Sequence, residues 1–266
     1  MEADKRPIGV LDSGVGGLTV VRWIQKLLPE EDVVYFGDSA HVPYGNRSED
    51  EIFELTMKMI RYLAAKDVKC IAIACNTLST LVQRLRAEEP CPLVSIVEAG
   101  ASYVVKEQLP RVGLIATEFT VKKGTYDTHI HAHAPKCEIV SKGSPNLAAL
   151  IDRGDFDEAA INKEIRENVD VILGKAPVDD LILACTHFPI VADNFHACYP
   201  QLRLIDPAEQ EARFVGRLLT EYGWHNDPSH SGRLDIFTTG DPAVYKTVSK
   251  RLGLRGPDSA SPASLE

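Results

Sequence analysis

Short, almost uninterrupted apolar runs recur along the chain. They fall at Ile8–Leu11, Val33–Phe36, Cys70–Ala74, Leu93–Val97, Val112–Ala116, Cys137–Val140, Leu181–Ala184, Leu202–Ile205 and Leu234–Thr238. Runs this short, without strict alternation, read as strands buried on both faces. Between many of them lie amphipathic helical patterns, such as Ser48–Ala65, Phe156–Leu173 and Ala208–Tyr222. Strands alternating with helices predict an α/β fold with mainly parallel sheets. In such sheets ligands bind beyond the carboxyl ends of the strands, so functional residues are expected just after the apolar runs. The tail from Gly256 to Glu266 is rich in Ser, Pro and Ala and is expected to be disordered, with Leu265 and Glu266 reading as a cloning remnant.

Composition narrows the partners. The 266 residues are 44% hydrophobic and carry a formal net charge of -9. That balance supports a globular core and offers no basic face to nucleic acid or to a membrane surface. No run approaches the roughly 18 apolar residues of a membrane span. The opening MEADKRPIGVLDSG has no apolar stretch before a cleavage site, so a cytoplasmic protein is expected. The six cysteines form no CxxC and no zinc-like cluster with histidine, which predicts free thiols.

Candidate chemistry sits at three strand ends. LDSGVGGLTVV (11–21) passes from a strand through a glycine-rich turn into a helix. Its exposed N–H groups would suit an anion; equally, Asp12 and Ser13 would simply cap the helix. It lacks the GK[ST] of a P-loop and the spacing of a dinucleotide fingerprint. ACNTLST (74–80) and ACTHFP (184–189) share one form, an apolar strand, then Ala-Cys, then small polar residues. Asn76 or Thr77 is placed to cap the next helix, and a cysteine at a helix N-terminus is expected to have a lowered pKa. Cys185 stands beside His187, a possible nucleophile pair. The repeated setting suggests two similar halves that bring Cys75 and Cys185 to one cleft. HVPYGNRS (41–48) is a loop in which Tyr44 and the Gly45 amide are placed to touch a ligand. HIHAHA (129–134) would align three histidines only as a strand; without a confirming ligand set they are expected to face solvent.

Together DSGVGGLTV (12–20), PYG (43–45), ACNT (74–77), CTHFP (185–189) and TTGDP (238–242) resemble the glutamate racemases of the aspartate/glutamate racemase superfamily. The resemblance spans nearly the whole chain. It implies two pseudo-symmetric, flavodoxin-like α/β domains with the active site between them, taken as 1–97 plus 208–266 and 98–207. It implies interconversion of L- and D-glutamate, supplying D-glutamate for peptidoglycan, with no pyridoxal phosphate, no metal and a homodimeric assembly. Mapped by motif, Cys75 and Cys185 are the catalytic acid/bases, with Asp12 on the Cys75 side and His187 on the Cys185 side. Substrate contacts fall on Asp12, Ser13, Tyr44, Gly45, Asn76, Thr77, Thr186 and His187, with Thr120 a further candidate. Family precedent makes Cys75 the base toward D-glutamate and Cys185 the base toward L-glutamate.

The chain departs from the family pattern in five places. Ala184 replaces Gly before the second cysteine, and Leu78 replaces Ala after ACNT. Thr117-Glu118-Phe119-Thr120 replaces Thr-x-Gly-Thr, Glu98-Ala99-Gly100 replaces Glu-Pro-Gly, and Asp152 stands where the family has a glutamate. These changes bear on pocket shape and hence on substrate. A racemase of aspartate or another amino acid, a Cys–His thiol hydrolase or amidase, and a non-catalytic amino-acid-binding protein remain alternatives.

Overall fold

A computed structural model describes residues 3–154 and 156–265. The first part of the chain runs β1 (Ile8–Asp12), α1 (Leu18–Leu27), β2 (Val33–Gly37), α2 (Glu49–Ala64), β3 (Cys70–Ile73), α3 (Asn76–Ser79), α4 (Val82–Glu88), β4 (Leu93–Ser95) and α5 (Ile96–Lys106). Then come β5 (Arg111–Ala116), α6 (Glu118–Lys123), α7 (Thr125–His131), β6 (Glu138–Gly143), α8 (Leu147–Asp152), α9 (Glu158–Lys175), β7 (Asp180–Ala184), α10 (Ala192–Cys198) and β8 (Arg203–Ile205). The chain closes with α11 (Pro207–Tyr222), β9 (Leu234–Thr238), α12 (Pro242–Arg251) and β10 (Ser259–Pro262). One sheet has the order β10-β9-β2-β1-β3-β4 and the other β6-β5-β7-β8. Every pairing in both is parallel.

The apolar runs become strands because both faces of each sheet are covered. In β1, β2, β3 and β7 every residue is buried. Helix starts follow their caps. Ser48 and Glu51 form a reciprocal capping box at α2, and Asp157 accepts from the Ala159 and Ala160 amides to open α9. Helix α11 packs on α1 and α5. The buried apolar cluster there runs without a break from Val10 and Ala72 of one sheet through Val97 and Val215 to Leu114 and Leu183 of the other.

Two expectations are corrected. The run Leu93–Val97 is not all strand: the Ser95 hydroxyl accepts from the Glu98 amide, so β4 stops there and Glu98-Ala99-Gly100 lies inside α5 rather than in a turn. The tail is not disordered. Its β10 pairs with β9, the Asp258 amide and carboxylate clamp Leu234, and Leu265 is buried in the apolar cluster under β1 and β2. An edge strand tolerates Pro262, which a central strand would not. Glu266 lies outside the described residues. The histidines of HIHAHA stay toward solvent as expected: His131 and His133 are exposed and His129 half-buried, His129 and His131 lie in helix α7, and His131 bonds to the Cys137 carbonyl.

Two buried charges stand out in the core. Lys69 donates to Glu31 at 2.5 Å and to the carbonyls of Asp4 and Trp224, while the other Glu31 oxygen accepts from the Asn226 amide. This ion pair ties the start of the chain, the end of α1 and the segment after α11 into one joint. Removing one partner of a buried pair strands the other charge. Lys69→Met is therefore expected to cost about 3–5 kcal/mol, read from the denaturant midpoint of unfolding.

Glu211, on α11, is the opposite case. It is fully buried, and neither carboxylate oxygen has a hydrogen-bond partner. Burial, reinforced by the Asp12 charge, pushes its pKa well above the ordinary value, so the folded protein holds it as a neutral acid. Below the ordinary carboxyl range both folded and unfolded states are protonated and nothing is lost. As pH rises past that range only the unfolded chain ionises, and stability falls by up to about 1.4 kcal/mol per pH unit. Thermal melts of Glu211→Gln should therefore gain on the wild type progressively from pH 5 to pH 8, and parallel curves would exclude the effect.

Candidate active site

The carboxyl ends of β1, β3, β5 and β7 converge. Asp12 closes β1, Cys75 follows β3, Thr117 follows β5 and Cys185 follows β7. Between the sheets lies a cleft of about 1170 Å³. Cys75, Cys185, Ser13, Tyr44, Gly45, Asn76, Thr77, Thr186 and His187 all line it. Asp12 and Thr120 do not. Asp12 is fully buried behind the lining, and Thr120 stands behind Thr117, their hydroxyls 3.0 Å apart.

The glycine-rich turn after β1 owes its composition to the opposite sheet. A Cβ on Gly14 would lie 2.3 Å from an Asp152 oxygen, and one on Gly16 would lie 2.4 Å from the Thr186 hydroxyl and 2.8 Å from His187 Nδ1. Only hydrogen fits there. The resulting approach carries two bonds between the halves. Thr186 donates its hydroxyl to Asp12 at 2.9 Å, and the Val15 amide donates to Asp152 at 3.2 Å. The turn does not cap α1 as expected: Gly17 occupies the N-cap without a side-chain bond, and Asp12 accepts from the Gly14 amide instead.

The two thiols have unlike surroundings. Cys75 sits at the N-cap of α3, with Asn76 and Thr77 inside that helix rather than capping it. The helix is a single turn, and it does not lower the thiol pKa as expected. Burial, with the Asp12 charge, pushes Cys75 up to about 12, outweighing contacts with the Ser13 hydroxyl at 3.4 Å and the Leu78 amide. Cys185 Sγ instead lies 3.7 Å from His187 Nδ1, and His187 Nε2 lies 3.0 Å from Asp152. Burial opposes a charge on His187, but the bonds to Asp152 and Cys185 prevail and hold the imidazolium well above the ordinary histidine value. Burial also opposes ionised Asp152, yet His187 and the Val15 amide keep its pKa below the usual carboxylate range. Asp12 goes the other way: burial raises it to about 6 against the His187 charge and its hydrogen bonds to Gly14 and Thr186.

Polar support extends behind the lining. Tyr126 donates to Asn76 Oδ1 at 2.8 Å, leaving the Asn76 Nδ2 group buried and unpartnered at the cleft. Thr77 and Thr117 meet across the halves at 3.1 Å. Tyr44 donates to buried Asp38, which also accepts from Thr239 at 2.6 Å. The sequence reading did not single out Asp38, Thr117 or Tyr126. Asp38 follows the run Val33–Phe36 after one glycine, nearly the signal that drew attention to Asp12. Tyr126 carries no local signal, because its partner is fifty residues away.

A thiol on each side of a cleft suits a reaction at one carbon approached from both faces, and the class so defined is the amino-acid racemases. The chain belongs to the Asp/Glu/hydantoin racemase family, whose model matches residues 17–215. A glutamate racemase of Streptococcus agalactiae is 35% identical over 93% of this chain and 95% of its own. One from Desulforudis audaxviator is 34% identical over 98% of each. The crystal structure of glutamate racemase from Francisella tularensis in complex with D-glutamate superposes with a TM-score of 0.88, at 31% identity over 99% of both chains. Among the described residues no helix is long and apolar enough to cross a membrane.

Gly16 offers a direct check on the closeness of the two halves. Gly16→Ala must push Thr186 and His187 away, and a displacement of about 1 Å at a reacting group can cost a hundredfold. Racemase turnover is expected to fall by about that factor while the thermal melt stays cooperative.

Proposed function

We propose that this protein interconverts L- and D-glutamate through Cys75 and Cys185, and that its product serves as the D-glutamate of peptidoglycan. The observation that carries this reading is the pair of buried thiols from two different sheets in one cleft, Cys75 beside the Ser13 hydroxyl and Cys185 beside the His187 imidazole. The names of the curated relatives and the bound D-glutamate of the Francisella enzyme support glutamate as the substrate.

Racemisation removes the α-proton on one face and returns a proton on the other. One sulfur must start as thiolate and the other as thiol. The cationic His187 lies 3.7 Å from Cys185 Sγ, which makes Cys185 the side from which a base acts first, while the raised pKa of Cys75 keeps its proton in place. In this resting arrangement Cys185 takes the α-proton of L-glutamate and Cys75 delivers its own to the opposite face. The Asn76 Nδ2 group, unpartnered at the cleft among the described residues, is placed to hold the substrate carboxylate as charge grows on the carbanion. Asp152 fixes the His187 ring, and the charge of Asp12, felt at Cys75, tunes how readily that thiol gives up and regains its proton. The family resemblance further proposes a homodimer, which sedimentation of the purified chain would test.

Incubation of each enantiomer in D₂O tests the reading. Wild type should invert glutamate and incorporate α-deuterium, with aspartate at least about tenfold slower, since one methylene commonly decides that much. Cys75→Ala and Cys185→Ala should each abolish inversion. kcat/KM should fall as pH drops through about 6, where Asp12 takes up a proton. Absence of inversion in wild type, or its survival in either cysteine variant, would refute the mechanism.

A further inference from the structure

Phe119 stands where the family pattern has glycine, and its position is distinctive. It belongs to α6, in the half of the molecule built on the four-stranded sheet. Its side chain nevertheless packs against the apolar cluster of the six-stranded sheet that includes Tyr44, Phe53 and Cys75. Its Cβ lies 3.7 Å from the position a Cβ on Gly45 would take, which sets the two residues side by side at the cleft. Behind it Lys123, on the same helix, pairs with Glu49 at the start of α2 and lies 5.7 Å from the Phe119 ring centre. Ring and ion pair thus link the two halves on the side of the cleft away from the Asp12–Thr186 bond.

The burial gradient shows what this link does. Cys75 and Cys185 are 6% and 5% exposed at the floor, whereas Phe119 and Gly45 are only half-buried and form the rim. A substrate α-carbon between the two sulfurs sends its side chain outward toward that rim. Arg47 and Lys122 also line the cleft and suit an acidic side chain. We propose that Phe119, held across the rim by the Lys123–Glu49 pair, is the specificity-determining residue that sets the longest side chain the cleft accepts. The inference rests on the proposed glutamate chemistry and adds the upper size limit, enforced by a residue of the second half standing beside Gly45 of the first. An extra methylene would place the distal carboxylate against the ring.

The test compares glutamate with its homologue α-aminoadipate, one methylene longer, by α-deuterium exchange and by calorimetric binding. Phe119→Gly should shift the ratio of specificity constants toward aminoadipate over glutamate by at least about tenfold, the low end for one methylene. The change should lie mainly in KM, because the thiols are untouched. Phe119→Leu should keep the wild-type ratio, and Lys123→Met should shift it in the same direction as glycine but less. A Phe119→Gly protein that melts like wild type yet keeps the wild-type ratio in both measurements would overturn the inference while leaving the glutamate reading intact. Wild type that neither binds nor exchanges glutamate would overturn both.

Discussion

Everything at the cleft depends on how closely the turn after β1 meets the turn after β7. Gly14 and Gly16 leave only hydrogen at the contact, so Asp152, Thr186 and His187 press directly on the opposite backbone. From that approach come the Thr186–Asp12 and Val15–Asp152 bonds, which fix one sheet against the other. Close packing converts small volume changes into displacements of neighbouring groups, because the interior has no slack to absorb them. A glycine-rich turn that resembles an anion cradle in sequence is here a surface shaped to receive another part of the same chain.

That proximity also couples the charges. Asp12, Asp152, His187 and both thiols share a largely buried region, where the ionisation of one is felt by its neighbours. The asymmetry between the thiols follows from their immediate partners. A hydroxyl and a short helix turn do little to offset burial at Cys75. At Cys185 a carboxylate-backed imidazolium supplies a full positive charge. The shorter Asp152, in place of glutamate, still reaches His187 because α8 ends at this residue, beside the turn after β1.

Much of this was legible in the sequence, and what was hidden has physical reasons. The central strands β1, β2, β3 and β7 showed as apolar runs because both their faces are covered. The site residues showed because parallel strands deliver polar residues at their carboxyl ends, which is why Asp12, Cys75 and Cys185 stood out. The β10 strand did not show. Ser, Ala and Pro carry no strand pattern, and that segment is ordered by pairing with β9 and by the Asp258 clamp, neither of which is local. The Cys75 environment was misread because its burial and the nearby Asp12 charge arise from distant segments. Phe119 was visible as a departure, but its reach into the other half was not.

The strand order has a consequence for how the chain is made. Every strand of the four-stranded sheet lies between residues 111 and 205, so that half is complete as one contiguous stretch. The six-stranded sheet begins at Ile8 yet takes β9 and β10 from the last part of the chain. Segments emerge from the ribosome in order and tend to fold as units. The N-terminal strands must therefore wait, with the β2 edge unpaired, until the C-terminal ones emerge. The Lys69–Glu31 pair, which needs the Trp224 carbonyl and the Asn226 amide, closes only after the younger half already has all its strands. The part of the molecule synthesised first is the part finished last.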